Sequence, residues 1–197
     1  MLSAFLFLSA IVWIDRKFHP VLREAVAPAH IQDVNDWVKY HGKSFFVVKT
    51  IDGDTIDINI PDGKYEHTRI RMLGIDTPET KSPHTPVMYY GPEASKFTAD
   101  TVLEKNVTII MDKLSNPRDK YHRILCHIQL ADGRILNEEL ITNGLAYADP
   151  RFPHSFLDKY LTLQKKAKTE KTGLWKEVKP DQMPKWAQKK LKTNTGR

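Results

Sequence analysis

Four acidic residues stand at two places where the chain must turn. Asp52-Gly53-Asp54-Thr55 sets two carboxylates about a glycine, and Asp76-Thr77-Pro78-Glu79 sets two more where an apolar run gives way to a proline-rich loop. Carboxylate oxygens, with backbone carbonyls and water, are what a hard divalent cation such as Ca²⁺ or Mg²⁺ takes as ligands. Either turn alone is explained by the ordinary use of aspartate as a turn former; the arginines carry the reading further. Arg69 and Arg71 share one face of a short alternating run that ends just before Asp76, and Arg123 follows Asp119-Lys120-Tyr121-His122. A guanidinium stays charged and forks two hydrogen bonds onto a phosphate. Cation, carboxylates and paired guanidiniums are the parts needed for metal-assisted attack of water on a phosphodiester, whose transition state gathers negative charge on the phosphorus-bound oxygens.

These residues need a frame. Phe45–Ile51, Thr55–Ile60 and Thr68–Leu73 read as short β-strands, the last two alternating apolar with polar residues, and Asp52-Gly53 supplies a tight hairpin turn between the first two. Val107–Met111 and Arg123–Leu130 read as two more strands. Glu93–Lys105 has the spacing of an amphipathic helix, and helices are predicted over Asn137–Asn143, before Gly144, and about Phe156–Lys171. The order β-β-β-α-β-β-α-α suits a small closed barrel with an inserted helix, and the five-stranded oligonucleotide-binding (OB) barrel is the commonest such design. The fold class predicted is α+β, mainly β, a five-stranded OB-fold barrel with three helices.

The chain of 197 residues, 41% hydrophobic and 27% charged, has the composition of a globular protein, neither disordered nor a polytopic membrane protein. Its single cysteine, Cys126, excludes an internal disulfide and a cysteine zinc cluster; inside a strand it reads as a buried small hydrophobe. The histidines show no pair at helical ligand spacing. The net charge of +6 divides unevenly: residues 1–158 hold 18 Lys+Arg against 21 Asp+Glu, and residues 159–197 hold 12 against 3. The basic excess is therefore C-terminal, fitting a non-specific grip on an anionic partner. Met1–Ile14 carries no charge and precedes Asp15-Arg16-Lys17; as a helix it would span roughly 21 Å, short of the ~30 Å hydrocarbon core. Residues 1–17 are accordingly read as a hydrophobic anchor or signal-like segment, with an uncleaved anchor favoured and a membrane-anchored or exported location expected. Residues 18–44 read as a linker with a short helix, roughly Ile31 to Tyr40, residues 45–176 as the catalytic domain, and residues 177–197 as a basic tail. Trp37, Trp175 and Trp186 are read as packing anchors outside the site.

Several motifs in register turn this reading into a resemblance. Ile51-Asp52-Gly53-Asp54-Thr55, Arg71 through Asp76-Thr77-Pro78-Glu79-Thr80, Tyr90-Gly91-Pro92-Glu93-Ala94, Asp119-Lys120-Tyr121-His122-Arg123, Asn137-Glu138-Glu139-Leu140 and Gly144-Leu145-Ala146 follow the order and spacing of the staphylococcal nuclease (thermonuclease) family, which this chain resembles from about Phe45 to Trp175. The resemblance implies an OB-fold barrel with three helices and a Ca²⁺-dependent phosphodiesterase acting on DNA and RNA, single strands preferred, as a monomer. It makes Asp54 and Asp76 metal-ligating carboxylates with the backbone carbonyl of Thr77. Glu79 becomes the residue that orients or deprotonates the attacking water, and Arg71 and Arg123 the phosphate-binding arginines. Lys120 and Tyr121 become nucleotide contacts. The family breaks the bond from phosphorus to the 5′ oxygen and leaves 3′-phosphates.

The chain departs from the family at His122, where glycine is common, at Leu114–Arg118, an altered approach to the Asp119 turn, and over Tyr147–His154, where the residues lining the nucleotide pocket do not align. Tyr147 and Arg151 are the candidates there. The alternative from another class is a catalytically silent barrel that binds nucleic acid or another partner. Such members lack some of the acids or arginines, whereas Asp54, Asp76, Glu79, Arg71 and Arg123 are all present here.

Overall fold

The computed structural model describes residues 35–80 and 86–195. The chain divides into two compact units, Met1–Lys39 and Tyr40–Arg197, and the site lies in the second. The segment read as an anchor falls outside the described residues. Among the described residues no helix is long and apolar enough to cross a membrane. Residues 35–40 are helical; the start of the helix expected from Ile31 also lies outside the described residues.

Five strands close into a barrel in the order β1-β2-β3-β6-β5. They are β1 (Ser44–Thr50), β2 (Thr55–Ile58), β3 (Thr68–Met72), β5 (Asn106–Ile110) and β6 (Ile124–Gln129), each within a residue or two of the run its sequence pattern marks. Neighbours pair antiparallel except β3 with β6, which run parallel. Alternation puts Ile70 and Met72 inside the barrel with Ile56, Ile58, Ile109, Ile124 and Ile128, all fully buried or nearly so; each such side chain contributes about 1.5–3 kcal/mol. The same alternation turns Arg69 and Arg71 away from that core.

Beyond residues 35–40, four α-helices of the described residues lie outside the barrel: α1 (Gly91–Val102), α2 (Leu136–Thr142), α3 (Leu157–Thr169) and α4 (Lys185–Thr195). The first three are those the periodicity predicts. The fourth lies in the stretch read as a basic tail. A further two-stranded ribbon, β4 (Ile75–Asp76) with β7 (Tyr147–Ala148), pairs Asp76 with Tyr147. Gln164 of α3 holds this ribbon by accepting the Ala148 N–H through Oε1 (3.0 Å). Buried Asn137, at the start of α2, clamps barrel to helix: its Nδ2 donates to the Leu73 carbonyl (2.9 Å) and its Oδ1 accepts the Ile128 N–H (3.0 Å).

Candidate active site

Three elements converge on the Asp52–Thr55 turn. The Asp54 carbonyl accepts the Met72 N–H (2.9 Å), so β3 holds the turn from one side. Thr98, buried on α1, donates its hydroxyl to the Gly53 carbonyl (2.7 Å) and holds it from behind. The loop after β4 closes the front. Thr77 donates both its N–H (2.8 Å) and its hydroxyl (3.1 Å) to Asp54 Oδ2. It presses so close to Gly53 that a Cβ there would lie 2.8–2.9 Å from the Thr77 side chain, which is why this position is glycine. Gly91 is fixed in the same way: a Cβ would meet the Thr80 methyl at 2.7 Å and the Pro78 and Glu79 carbonyls at 3.1 Å. The Tyr90-Gly91-Pro92 motif thus seats the loop carrying Glu79 against the first turn of α1, where Pro92 has no N–H to waste.

Asp54 and Asp76, 22 residues apart in sequence, are joined by Arg71. One guanidinium nitrogen, Nη1, lies 2.7 Å from Asp54 Oδ2 and the other, Nη2, donates to Asp76 Oδ1 at 3.0 Å. The three side chains are largely removed from solvent, at 15% exposure for Arg71, 6% for Asp54 and 22% for Asp76. Burial opposes the charge of Arg71, but Asp54 and then Asp76 and Asp52 outweigh it and hold the guanidinium more firmly protonated than usual. The acids are crowded. Asp52 is pushed up to about 7, first by burial and then by the charge of Asp54. Asp76 is pushed up to about 6 by burial, with Arg71 pulling it back and Asp54 adding repulsion.

The donor set fits a hard cation. It is all oxygen, its carboxylates repel one another, and a divalent ion among them removes that repulsion. Among the described residues no three His, Cys, Asp or Glu side chains form a cage by themselves, so the two aspartates need carbonyl or water oxygens beside them, as the expected Thr77 carbonyl would provide.

Arg123 stands across a cleft of about 140 Å³ that Arg71, Asp119, Asp149, Arg151 and Phe152 also line. Asp119 holds its guanidinium, accepting from Nε at 2.7 Å and lying 2.6 Å from Nη2. The Tyr121 ring lies beside it, 5.5 Å from the guanidinium carbon, with Lys120 Nζ 4.9 Å from the same ring. Tyr121 is 66% exposed, an open aromatic face of the kind on which a base stacks. His122 has φ 63°, the left-handed backbone that favours glycine, and so keeps the turn despite its side chain. Glu79 is tied into its own loop, where Oε1 accepts the Thr80 N–H (2.9 Å). The structure therefore gathers Asp54, Asp76, Thr77 and Arg71 into one contact group and sets Arg123 across the adjoining cleft. Lys120 and Tyr121 flank Arg123, and Glu79 lies on the loop two residues past Thr77.

This geometry can be set beside known proteins. The family model described as staphylococcal nuclease homologue matches residues 69–177, more than half of the chain. A thermonuclease of Staphylococcus intermedius is 41% identical over 138 residues, 68% of this chain and 77% of its own length. The chain belongs to the staphylococcal nuclease family. A thermonuclease of Staphylococcus hyicus is 37% identical over 134 residues, 68% of this chain and 76% of its own. Endonuclease YncB of Bacillus subtilis is 36% identical over 129 residues, 64% of this chain and 59% of its own.

Against that family match, two contacts at the site were not legible. Trp186, read as a packing anchor outside the site, does pack on Tyr147, with ring centroids 6.4 Å apart, and its indole Nε1–H also donates to Asp76 Oδ2 at 2.7 Å. Arg151 reaches the same oxygen through Nη2 (3.4 Å). It is held by Asp149, whose Oδ2 accepts at 2.6 Å, and lies over the Trp186 ring (4.9 Å). Arg151 was at least a candidate of the unaligned segment. For Trp186, 110 positions from Asp76, the local sequence carries no signal of the contact. The histidines are also less scattered than their spacing suggests: His127 and His154 lie with ring centroids 5.5 Å apart, buried beneath α3, where the Tyr160 hydroxyl meets His127 Nδ1 at 2.8 Å.

Proposed function

We propose that this chain is a nuclease that hydrolyses phosphodiester bonds in DNA and RNA, with Ca²⁺ as its cofactor. The observation that supports the reading best is the contact group itself: two carboxylates bridged by a buried arginine at the rim of a cleft that a second arginine lines. A barrel whose chemistry had been lost would keep the turns but has no need of a doubly paired Arg71 beside Arg123.

In this reading Asp54 and Asp76, with the Thr77 carbonyl, would hold the cation, which would supply positive charge to the phosphate and make water easier to deprotonate. Arg71 is rigid because both its terminal nitrogens are fixed, and it presents a preorganised charge to the phosphate. Arg123, oriented by Asp119, presents a second from across the cleft. Glu79 accepts the proton of the attacking water. The water oxygen forms the new bond to phosphorus as the bond from phosphorus to the 5′ oxygen breaks. The departing oxygen takes up a proton, leaving a 5′-hydroxyl on one fragment and a 3′-phosphate on the other. Lys120 and Tyr121 hold the neighbouring nucleotide, and the exposed Tyr121 ring favours unpaired bases.

The test is hydrolysis of a single-stranded DNA by the full chain as Ca²⁺ is titrated and then chelated. Cutting that depends on Ca²⁺, stops with chelator and falls by about 10²- to 10⁴-fold in Glu79→Gln is the expected result. Undiminished cutting in excess chelator removes the cation assignment.

A further inference from the structure

The contact of Trp186 with Asp76 spans 110 positions and comes from a helix outside the stretch that the family model matches, which ends at residue 177. An indole nitrogen is a donor only, and this one meets a carboxylate oxygen at 2.7 Å, a short charge-assisted bond. The two oxygens of Asp76 are thereby given different surroundings. Oδ1 faces Arg71 and, through it, Asp54; Oδ2 faces the Trp186 indole and the Arg151 guanidinium. Without an outer partner the carboxylate would be held at Oδ1 alone, by Arg71, and could pivot about that contact. With one, it is held in a single orientation.

The outer partners are themselves held. Arg151 is gripped by Asp149, through Nε to Oδ1 (2.8 Å) and Nη2 to Oδ2 (2.6 Å), and its guanidinium lies over the indole. The indole also meets the edge of the Tyr147 ring, centroids 6.4 Å apart, and Tyr147 is the strand partner of Asp76. The turn leading into α4 is closed by Gln188, whose Nε2 donates to the Met183 carbonyl (2.7 Å).

We propose that Trp186 is a positioning residue of the cation site: the C-terminal helix carries an indole N–H to the outer oxygen of Asp76 and so fixes the carboxylate for the divalent ion. The inference rests on Asp76 being a cation ligand. Donors behind a metal ligand orient it, and their loss commonly weakens binding by 10- to 100-fold. The basic C-terminal segment then serves the site directly, in addition to any grip on polynucleotide.

The experiment is calorimetric titration of the full chain with Ca²⁺ alone, in wild type, Trp186→Phe and Trp186→His. Phenylalanine keeps most of the ring and loses the donor; histidine loses ring area and keeps an N–H. The expected order is an affinity lowered about tenfold in W186F and within about threefold of wild type in W186H. In the wild-type chain the Trp186 indole N–H resonance is expected to move over the same Ca²⁺ range as the Thr77 amide. Affinity lost equally in both variants, lost in neither, or raised in W186F overturns the proposal, as does an indole resonance that stays still. A wild-type chain that takes up no Ca²⁺ overturns the cation reading itself, which separates that failure from the failure of Trp186 alone.

Discussion

Thr98→Val tests the claim that α1 holds the acidic turn. The change is nearly isosteric and removes one hydroxyl, which is fully buried and donates to the Gly53 carbonyl at 2.7 Å. That carbonyl is left inside the protein without its donor, a loss worth about 1–3 kcal/mol. A central value of about 2 kcal/mol corresponds to a melting midpoint lower by about 4–8 °C in a chain of this size. The effect extends to function, because Gly53 lies between Asp52 and Asp54 and packs on Thr77, the donor of two hydrogen bonds to Asp54. The Ca²⁺ concentration for half-maximal hydrolysis is therefore expected to rise about 3- to 10-fold, whereas Thr98→Ser, which keeps the hydroxyl, leaves it within about twofold. Urea denaturation and a Ca²⁺-titrated nuclease assay read the two effects. A T98V chain whose unfolding free energy lies within about 0.5 kcal/mol of wild type refutes the energetic step; one that is destabilised with an unaltered Ca²⁺ dependence refutes the link from helix to site.

Three further outcomes are expected. Arg123→Ala lowers turnover on single-stranded DNA by about 10²- to 10³-fold, and a loss under about threefold removes this arginine from the site. His122→Gly relieves the left-handed backbone at φ 63° and raises stability by up to about 1 kcal/mol in chemical denaturation; a destabilised variant would mean the imidazole makes a contact that outweighs the strain. The buried histidines weaken the fold on the acid side, while Asp52 and Asp76, raised to about 7 and about 6, act with the opposite sign. His127 is lowered to about 4, by burial first and then by the neighbouring His154, against 6.5 in the unfolded chain, so between those values the unfolded state binds the extra proton. Stability present above pH 6.5 is lost as the pH drops toward 4, by about 2 kcal/mol at pH 5 from this residue. His154, lowered by burial, acts with the same sign. So does Asp112, where hydrogen bonds from Leu114 and Ser155 overcome burial. Urea denaturation at pH 7 and pH 5 in wild type and His127→Gln isolates this part: going to pH 5, the variant is expected to fare better than wild type by about 2 kcal/mol, and an equal change in both chains contradicts the assignment.

The barrel was legible because each of its five strands carries its own signal. Alternation marks Thr55–Ile58 and Thr68–Met72, the same alternation sets Arg69 and Arg71 on the outer face, and the Asp-Gly turn joins β1 to β2, whose register shifts between Val47 and Lys49. The motifs likewise brought forward Asp54, Asp76, Thr77 and Arg71, which the fold gathers into one contact group. What stayed hidden depends on contacts too short or too distant for a local pattern. The β4–β7 ribbon has two residues a side, a single period of strand alternation that never repeats, yet it sets the position of Asp76. Thr98 and Gly53 are 45 residues apart and Trp186 and Asp76 are 110 apart, and nothing about a threonine in a helix or a tryptophan among lysines reports its distant partner. The lysine density of residues 185–192 drew attention to charge, while the contact of that helix with Asp76 is made by its indole.

The most direct test of the central claim is end-group analysis of the products formed by the full chain from a single-stranded oligonucleotide at saturating Ca²⁺. The account predicts fragments that all carry 3′-phosphates and 5′-hydroxyls, with none formed once the ion is chelated; fragments bearing 5′-phosphates, or the same products in excess chelator, would contradict it.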